Sequence, residues 1–531
     1  MEGFPVHPID LTIVGVYLVF VVWLGIYFAR RHKSAEDYFL GGRAFIWPLV
    51  GLSLYASNMS SSSLVGMAGS AYGTGISVYN YEWMATIVLI FFSVFFLPYL
   101  IRSQVYTLPE FLERRFDSRA RYYFSGLNIL MTLVIDTAGT LYAGAIAISF
   151  LFPQIPMWQS MMVLALIAGI YTTAGGLSAV VLSDAVQAIL LTLGSVVITI
   201  LAFVKVGSWD AVTAVTPPEM LSVFMPLDDE FLPWVGVFTG VPILGFYFWC
   251  TNQFMVQRVL AAKDVNHGRW GALFAGLLKI PVIFIMVLPG TFARVLYPDL
   301  PRADMAFPRL MFDLLPVGFR GLIMAGFLAA IMSSIDSTLN SGSTLLTMDF
   351  FRKLRPKTTP RGLMWAGRAF TALFMVLAAV WAPQILKFPS LWHYLQSVLA
   401  HASPPIVALY LVGLFSRRAN ATGAFAGIVV GFILGIGQLA VRIAFPEAPW
   451  LPDIHFLYMA AGLLVITAGT ILVASRLTGP PDPKEVEAYI WTPAYFRKET
   501  EELRSLPWYR NYRILSVILL VFTVAVVSMF A

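Results

Sequence analysis

Apolar runs of roughly twenty residues recur along this chain with few charges inside them, and that length is what crosses about 30 Å of hydrocarbon. Hydrophobic residues make up 58% of the 531 and charged residues 12%. A water-soluble fold of this length could not bury so much apolar surface. The sequence therefore predicts an all-α integral membrane protein with about fourteen transmembrane helices. The expected spans are 10–29, 46–71, 79–101, 122–152, 158–173, 181–204, 231–251, 269–293, 318–349, 363–383, 391–415, 419–441, 455–474 and 512–531.

Basic residues cluster in alternate loops and predict the orientation, because short cytoplasmic loops carry the excess of Lys and Arg. The basic loops are 30–43, 102–121, 352–357 and 417–418. If they face the cytoplasm, both termini lie outside. We expect a multi-pass plasma-membrane protein, with a bacterial inner membrane as the working hypothesis. The net charge of +6 follows from this bias, so no nucleic-acid partner is expected.

Several functional classes are disfavoured by what the sequence lacks. The single cysteine, Cys250, falls within a span, so neither an intramolecular disulfide nor a thiolate metal site is expected. There is no Walker-type glycine loop, and the polar stretch 476–511 is too short for a catalytic domain. A nucleophile with its base is not recognisable either. The sequence therefore predicts a protein that is not an enzyme and is not driven by ATP.

Two spans carry residues that interrupt membrane helices. The second contains Ser57, Asn58 and the run 60–63, and the seventh contains Gly240 and Gly245 around Pro242. Transporters with inverted repeats place broken helices at corresponding positions of their two halves. Spans 2–6 and 7–11 would then form two five-helix repeats. The alternative is that these small residues only let helices pack closely.

Ionisable residues inside the spans are candidates for function, because an unpaired charge in hydrocarbon costs several kcal/mol. The main ones are Glu82, Asp136, Asp184, Lys279 and Asp336. Hydroxyl side chains surround Asp336 at helical spacing, an arrangement that suits a monovalent alkali cation better than zinc or calcium. Serines can instead bond to carbonyls of their own helix, but Asp336 still needs a cation or a proton.

Aromatic residues lie close to some of these polar groups. Tyr81 adjoins Glu82, Trp249 lies in span seven, and Trp392 precedes Gln396 by one helical turn. Aromatic faces beside hydroxyl-binding groups could hold a ring with several hydroxyls. An aromatic belt at the membrane interface is the alternative explanation.

Ordered motifs over nearly the whole chain resemble the sodium:solute symporter family, and within it the sodium-glucose cotransporter branch. They include EDYFLGGR (36–43), SLYASNMSSSSLVGMAGSAY (53–72), NQFMVQRVLAAKD (252–264) and LAAIMSSIDSTLNSGSTLLTMD (328–349). The resemblance implies a LeuT-type five-plus-five inverted repeat, with one extra helix before it and three after. The implied parts are an N-terminal helix and loop (1–45), the first repeat (46–204), an extracellular loop (205–230), the second repeat (231–415) and C-terminal helices (416–531) with cytoplasmic segment 476–511.

The resemblance also implies two sodium sites, with sodium as the only metal. The site shared by the fold would consist of Ala56, Met59, Ala330, Ser333 and Ser334. A second site would use Asp184 and Ser333 with Asp336 and Ser337, where the family members that have this site present hydroxyls.

For the substrate, the family's sugar-binding residues are similar to Glu82, Lys279 and Gln396, and its inner aromatic gate is similar to Phe248 and Trp249. This chain departs from the family with Ser63 in place of Gln, Asp136 in place of Asn and Gly245 in place of Asn. The full expected substrate set is Ser63, Tyr81, Glu82, Asp136, Phe248, Trp249, Lys279, Trp392 and Gln396.

The expected function is symport of a small hydroxyl-rich solute, a sugar first, with two sodium ions per substrate. A cyclic polyol such as inositol, an acidic sugar or organic acid, and a non-transporting membrane sensor are the alternatives. The expected partners are the solute, sodium ions and the lipid bilayer, and a monomer is the expected state.

Overall fold

A computed structural model describes the backbone of residues 7–29, 43–105, 107–171, 177–445, 454–482 and 486–531. Within these ranges the secondary structure is helical, with two isolated bridges and no strand. The side chains of Asp184, Ser333 and Asp336, all expected at a sodium site, lie outside the described residues.

The helices are numbered here along the chain. They are α1 (Pro8–Ala29), α2 (Trp47–Asn58), α3 (Ser61–Thr74), α4 (Ile76–Arg102), α5 (Leu108–Arg115), α6 (Ser118–Phe150), α7 (Met157–Tyr171), α8 (Leu177–Val206), α9 (Trp209–Val215), α10 (Trp234–Thr251), α11 (Gln253–Leu260), α12 (Val265–Lys279), α13 (Ile283–Leu296), α14 (Ala306–Leu314), α15 (Phe319–Leu354), α16 (Pro360–Trp381), α17 (Leu391–Ala402), α18 (Pro404–Phe415), α19 (Ala421–Ala444), α20 (Phe456–Thr478), α21 (Pro493–Arg504) and α22 (Tyr512–Ser528).

Eight of the described helices are long and apolar enough to cross a membrane. The number rises to ten if the bent pairs α12/α13 and α17/α18, with bends of 46° and 50°, each count as one span. Large apolar side chains such as Leu193 and Ile200 on α8 remain more than half exposed, as expected for a surface that faces lipid. The expectation of an all-α, multi-pass membrane protein is confirmed.

The expected break in the second span is confirmed, and it falls at Met59 and Ser60. Met59 leaves the helical region (φ −73°, ψ 56°), and Ser60 is extended (φ −85°, ψ 164°). The Ser60 hydroxyl then caps α3 by accepting from the Ser63 amide at 3.2 Å. Serine is favoured at this position because its oxygen satisfies an amide that has no partner within the helix.

The seventh span is interrupted slightly at Gly240, where one helical stretch ends at Thr239 and the next begins at Val241. Gly240 keeps helical backbone angles (φ −91°, ψ −51°), and α10 as a whole runs to Thr251. Gly240 is required for packing, since a Cβ there would lie 2.6 Å from the Leu457 carbonyl oxygen of α20. A larger departure from α-helix comes later, as a π-helical turn at Tyr247–Thr251 followed by extended Asn252 (φ −69°, ψ 126°).

Each half of the broken span is packed against a different half of the bent pair α12/α13. On the α2 side, a Cβ at Gly271 would lie 2.6 Å from a methyl carbon of Val50. On the α3 side, a Cβ at Gly290 would lie 2.1 Å from the Ala68 carbonyl oxygen. Such approaches are possible only for glycine, so α2 and α12 form one tight seam and α3 and α13 another.

Segment 476–511 does more than lie on the surface, because α21 buries Glu499 against two membrane helices. Arg269 of α12 pairs with one carboxylate oxygen at 2.6 Å, and Arg513 of α22 pairs with the other at 2.7 Å. The Tyr512 hydroxyl donates to Glu499 at 2.7 Å. This cluster fastens α21 to α12 and α22.

Candidate functional site

A cavity with about 1290 Å³ of empty space, including the part open to solvent, lies beside the break between α2 and α3. Helices α4, α6, α8, α10, α11, α15 and α17 complete its wall. The structure brings most of the expected site residues to this one cavity. Those that line it are Ala56, Met59, Ser63, Tyr81, Glu82, Asp136, Phe248, Trp249, Ala330, Ser334, Ser337, Trp392 and Gln396.

Lys279 does not line the cavity and lies behind Glu82. Its ammonium donates to the Glu82 carboxylate and to the Asn58 side-chain oxygen. The Lys279 side chain is fully buried and the Glu82 side chain is 3% exposed. The Lys279 nitrogen also lies 5.5 Å from the centre of the Trp249 ring. Lys279 therefore neutralises Glu82 and joins it to the end of α2.

The neighbouring turns of α4 are held so that Glu82 faces the cavity. The Tyr79 hydroxyl donates to the Ile280 carbonyl at 2.7 Å, and the Thr86 hydroxyl donates to the Gly276 carbonyl at 2.9 Å. Both bonds attach α4 to the end of α12, one turn on either side of Glu82. The carboxylate is thereby fixed in position as well as paired in charge.

The break in the second span changes the backbone hydrogen bonding beside the cavity. In a continuous helix the Ser60 amide would bond the Ala56 carbonyl, but here it bonds the Asn58 carbonyl at 2.8 Å. Ala56 and Met59 line the cavity together with Ala330 and Ser334 of α15. Carbonyl and hydroxyl oxygens are the hard ligands that alkali cations prefer, and unwound backbone can present them within a membrane.

Aromatic side chains form two pairs on the cavity wall. Tyr81 of α4 packs edge-on against Trp392 of α17, with ring centres 5.6 Å apart. Phe248 packs edge-on against Trp249 at 5.3 Å and against Phe254 of α11 at 5.9 Å. The π-helical turn of α10 places Phe248 and Trp249, two consecutive residues, on the same cavity wall.

Several polar atoms on the cavity wall have no protein partner among the described residues. They are Gln187 Nε2, Tyr247 Oη, Ser337 Oγ and Trp392 Nε1. A buried donor or acceptor without a partner costs about 1–3 kcal/mol. Their grouping around one cavity favours a polar ligand there.

Sequence reasoning missed several polar residues of this wall as site residues, among them Asn58, Gln187, Asn252 and Arg258. Asn252 and Arg258 belong to the motif NQFMVQRVLAAKD, and Gln187 lies three residues after Asp184. A polar residue within an apolar run was the available signal. The Arg258 guanidinium donates to the Ser53 hydroxyl at 3.0 Å, which attaches α11 to α2.

The relatives found by comparison with known proteins are sodium-coupled cotransporters. The chain is 34% identical to sodium/glucose cotransporter 4 of Danio rerio, over 95% of this chain and 84% of that protein. It is also 34% identical to sodium/myo-inositol cotransporter 2 of Sus scrofa, over 91% of this chain and 79% of that protein. The fold is similar to that of a substrate-bound, outward-open sodium-coupled sialic acid symporter, with a TM-score of 0.75 and 23% identity. The match covers 89% of this chain and 99% of that one.

A family model covers most of the chain. Residues 38–431 match the model of the sodium:solute symporter family, which is well over half of the 531 residues. The relatives are cotransporters, so the expectation that the chain is not an enzyme is confirmed. On these grounds the chain belongs to the sodium:solute symporter family.

Proposed function

We propose that this protein is a symporter that imports a small hydroxyl-rich solute, a sugar first, by alternating access, with sodium as the coupling ion. The observation that carries the proposal is the cavity at the broken span. Glu82 and Gln396 line it together with aromatic residues and with donors that have no partner among the described residues. Hydroxyl groups both donate and accept, so one solute with several of them could satisfy carboxylate, amide and indole groups together.

A cyclic polyol is the second candidate. The myo-inositol cotransporter of Sus scrofa is as similar to this chain as the glucose cotransporter of Danio rerio, at 34% identity each. An inositol ring presents hydroxyls around its whole edge, whereas a sugar ring carries an oxygen within it. Acidic sugars, organic acids and a non-transporting sensor are the remaining alternatives.

We assign the coupling sodium to Ala56, Met59, Ala330, Ser333 and Ser334. The cavity that Ala56, Met59, Ala330 and Ser334 line together supports this assignment, as does the changed hydrogen bonding at the end of α2. A second sodium ion at Asp184, Ser333, Asp336 and Ser337 follows from the family resemblance. The unpartnered Ser337 hydroxyl on the cavity wall favours it. Two sodium ions per solute are therefore proposed.

For the architecture, we propose fourteen spans in a LeuT-type arrangement, with repeats 46–204 and 231–415. The apolar helices α1, α7 and α22, the bent pairs and the broken α2/α3 span, added to the eight long helices, are consistent with that number. Both termini are placed outside and segment 476–511 inside, in a bacterial inner membrane. Cysteine labelling from the two sides of the membrane at introduced sites in 205–230 and 476–511 would test the orientation.

Uptake into proteoliposomes tests the proposed function. The purified protein is reconstituted, and uptake of labelled glucose and myo-inositol is measured with an inward sodium gradient and with a potassium gradient as the control. Sodium-stimulated accumulation of either solute supports symport and separates it from sensing. Reversal potentials give the charge moved per solute, and Asp336→Ala should lower the sodium Hill coefficient from about two toward one. If one elementary charge moves with each solute and Asp336→Ala does not change that number, the second sodium ion is ruled out.

A further inference from the structure

We propose that Asp136 makes the cavity selective for a solute that carries a positive charge beside its hydroxyls, such as a sugar or polyol bearing an ammonium group. This inference rests on the proposed function and narrows its substrate class. It starts from the charge of the cavity wall rather than from its shape.

Asp136 is held on that wall by the helix that carries it. It lies in a π-helical turn of α6, Thr132–Thr137, and lines the cavity. The Thr137 hydroxyl bonds the Thr338 hydroxyl of α15 at 3.0 Å. The Tyr394 hydroxyl donates to the Val134 carbonyl at 2.6 Å. The turn is therefore attached to two other helices, and its backbone can move little relative to the cavity.

The other charged groups of the wall are already engaged. Glu82 is neutralised by Lys279. Arg258 donates to the Ser53 hydroxyl and to the Phe254 carbonyl. Asp136 is different from Glu82, because the side chain that interacts with its carboxylate is the neutral amide of Asn252. Within the described part of the chain, no Lys or Arg forms an ion pair with Asp136.

A partly buried carboxylate without a counter-charge attracts a cation, since removing it from water costs several kcal/mol. The position of Asp136 favours a cation carried by the solute. Asn252, on the same cavity wall, directly follows the aromatic turn of α10, and Phe248 lines that cavity too. An aromatic face adds attraction for an ammonium group. The same carboxylate repels an anionic solute, which disfavours acidic sugars and organic acids.

The test compares three sugars that share a ring and differ in charge. Sodium-driven uptake of glucosamine, N-acetylglucosamine and glucose is measured in proteoliposomes, at a pH at which the glucosamine amine is protonated. Binding of each sugar to the detergent-purified protein is measured in parallel by thermal shift. The wild type should prefer glucosamine over the two neutral sugars by about tenfold or more. Asp136→Asn should abolish the preference, Asp136→Glu should keep part of it, and the exposed Asp210→Asn should leave it unchanged.

Each outcome decides one of the two proposals. Equal handling of the three sugars by the wild type, or a preference that survives Asp136→Asn, overturns the inference. So does an altered sodium dependence with unaltered sugar selection, because Asp136 would then act on the ion. If no sugar accumulates with sodium, the proposed function fails, and the binding measurement still decides on the charge preference. The melting temperature of each variant identifies loss of folding.

Discussion

Lys279 and Glu82 form an ion pair just behind the cavity wall, and neither side chain is exposed by more than 3%. One residue comes from the end of α12 and the other from the first turns of α4. Removing one partner leaves a buried charge uncompensated, which costs about 3–5 kcal/mol, whereas replacing both can be nearly neutral. The pair thus connects the stability of the fold to the position of a cavity carboxylate.

For this pair we predict that Lys279→Met and Glu82→Gln each lower the melting temperature and abolish solute uptake. The double variant should recover most of the stability but not the uptake, since the carboxylate expected to bind the solute is gone. A double-mutant cycle from thermal unfolding in detergent, together with uptake, measures both. Additive losses of stability would show that the two side chains do not interact.

Ser334→Ala should raise the sodium concentration for half-maximal uptake by about fivefold, because losing one oxygen ligand costs about 1 kcal/mol. Ser333→Ala should act in the same direction. Ser93→Ala is the matched control, since the buried Ser93 hydroxyl donates to a carbonyl of its own helix at 2.8 Å. An unchanged sodium dependence in Ser334→Ala would remove this residue from the sodium site.

Trp392→Phe keeps an aromatic ring in the cavity and removes the indole N–H that has no described partner. Solute affinity should fall by roughly threefold to tenfold, the effect of about 0.5–1.5 kcal/mol for one hydrogen bond. Trp365, which is 65% exposed, gives a control substitution of the same type. Affinity equal to that of the wild type would mean that the indole N–H does not touch the solute.

Gly290→Ala should destabilise the protein strongly, because the added Cβ would overlap the Ala68 carbonyl oxygen at 2.1 Å. Gly462→Ala on α20 is the control, as no atom lies within 4 Å of its Cβ position. Alanine is the better helix former by about 1 kcal/mol, so the control should be neutral or stabilising. Thermal unfolding of both variants measures the difference, and similar melting temperatures would contradict the tight seam.

Glu499 predicts a dependence of stability on pH. Burial by itself raises the pKa of Glu499, but Arg269, Tyr512 and Arg513 outweigh it and hold the pKa below its ordinary value. A depressed carboxyl pKa contributes stability that is present above the unfolded value of about 4.3 and is lost as pH falls through the folded value. Melting temperatures of the wild type should therefore fall as the medium is acidified below about pH 4.3.

Glu499→Gln should have a lower melting temperature at neutral pH and a smaller further loss on acidification. Glu502→Gln, at an exposed position of the same helix, should follow the wild type. If Glu499→Gln loses as much stability in acid as the wild type does, the cluster does not hold α21 in place.

Much of the fold could be predicted from the sequence because crossing a bilayer fixes both the length and the polarity of each span. The break at Ser60 was predictable because a run of serines has little other reason to lie at mid-membrane. The bends near Pro281 and Pro404 were not anticipated, although proline is a common cause of such bends. The packing requirement at Gly240 could not be predicted, because it comes from Leu457, more than two hundred residues later.

The site was predictable as a set of residues but not as an arrangement. Sequence motifs indicated Glu82 and Gln396, and the structure brings both to one cavity. The motifs could not reveal that Lys279 contacts Glu82 from the side away from the cavity, since that contact depends on how α12 crosses α4. Asn252 lies on the cavity wall directly after the π-helical turn of α10, and the sequence did not predict that turn.

The two glycine seams of the fold have a mechanical consequence. The bond from Lys279 to Asn58 connects the break at residues 59–60 with the bend between α12 and α13. Each seam joins two helix halves on one side of these two interruptions. We therefore expect any change of angle between the two sides to fall on the few backbone torsions at residues 59–60 and 280–282, and substitutions there to affect the transport rate more than substitutions along the helices.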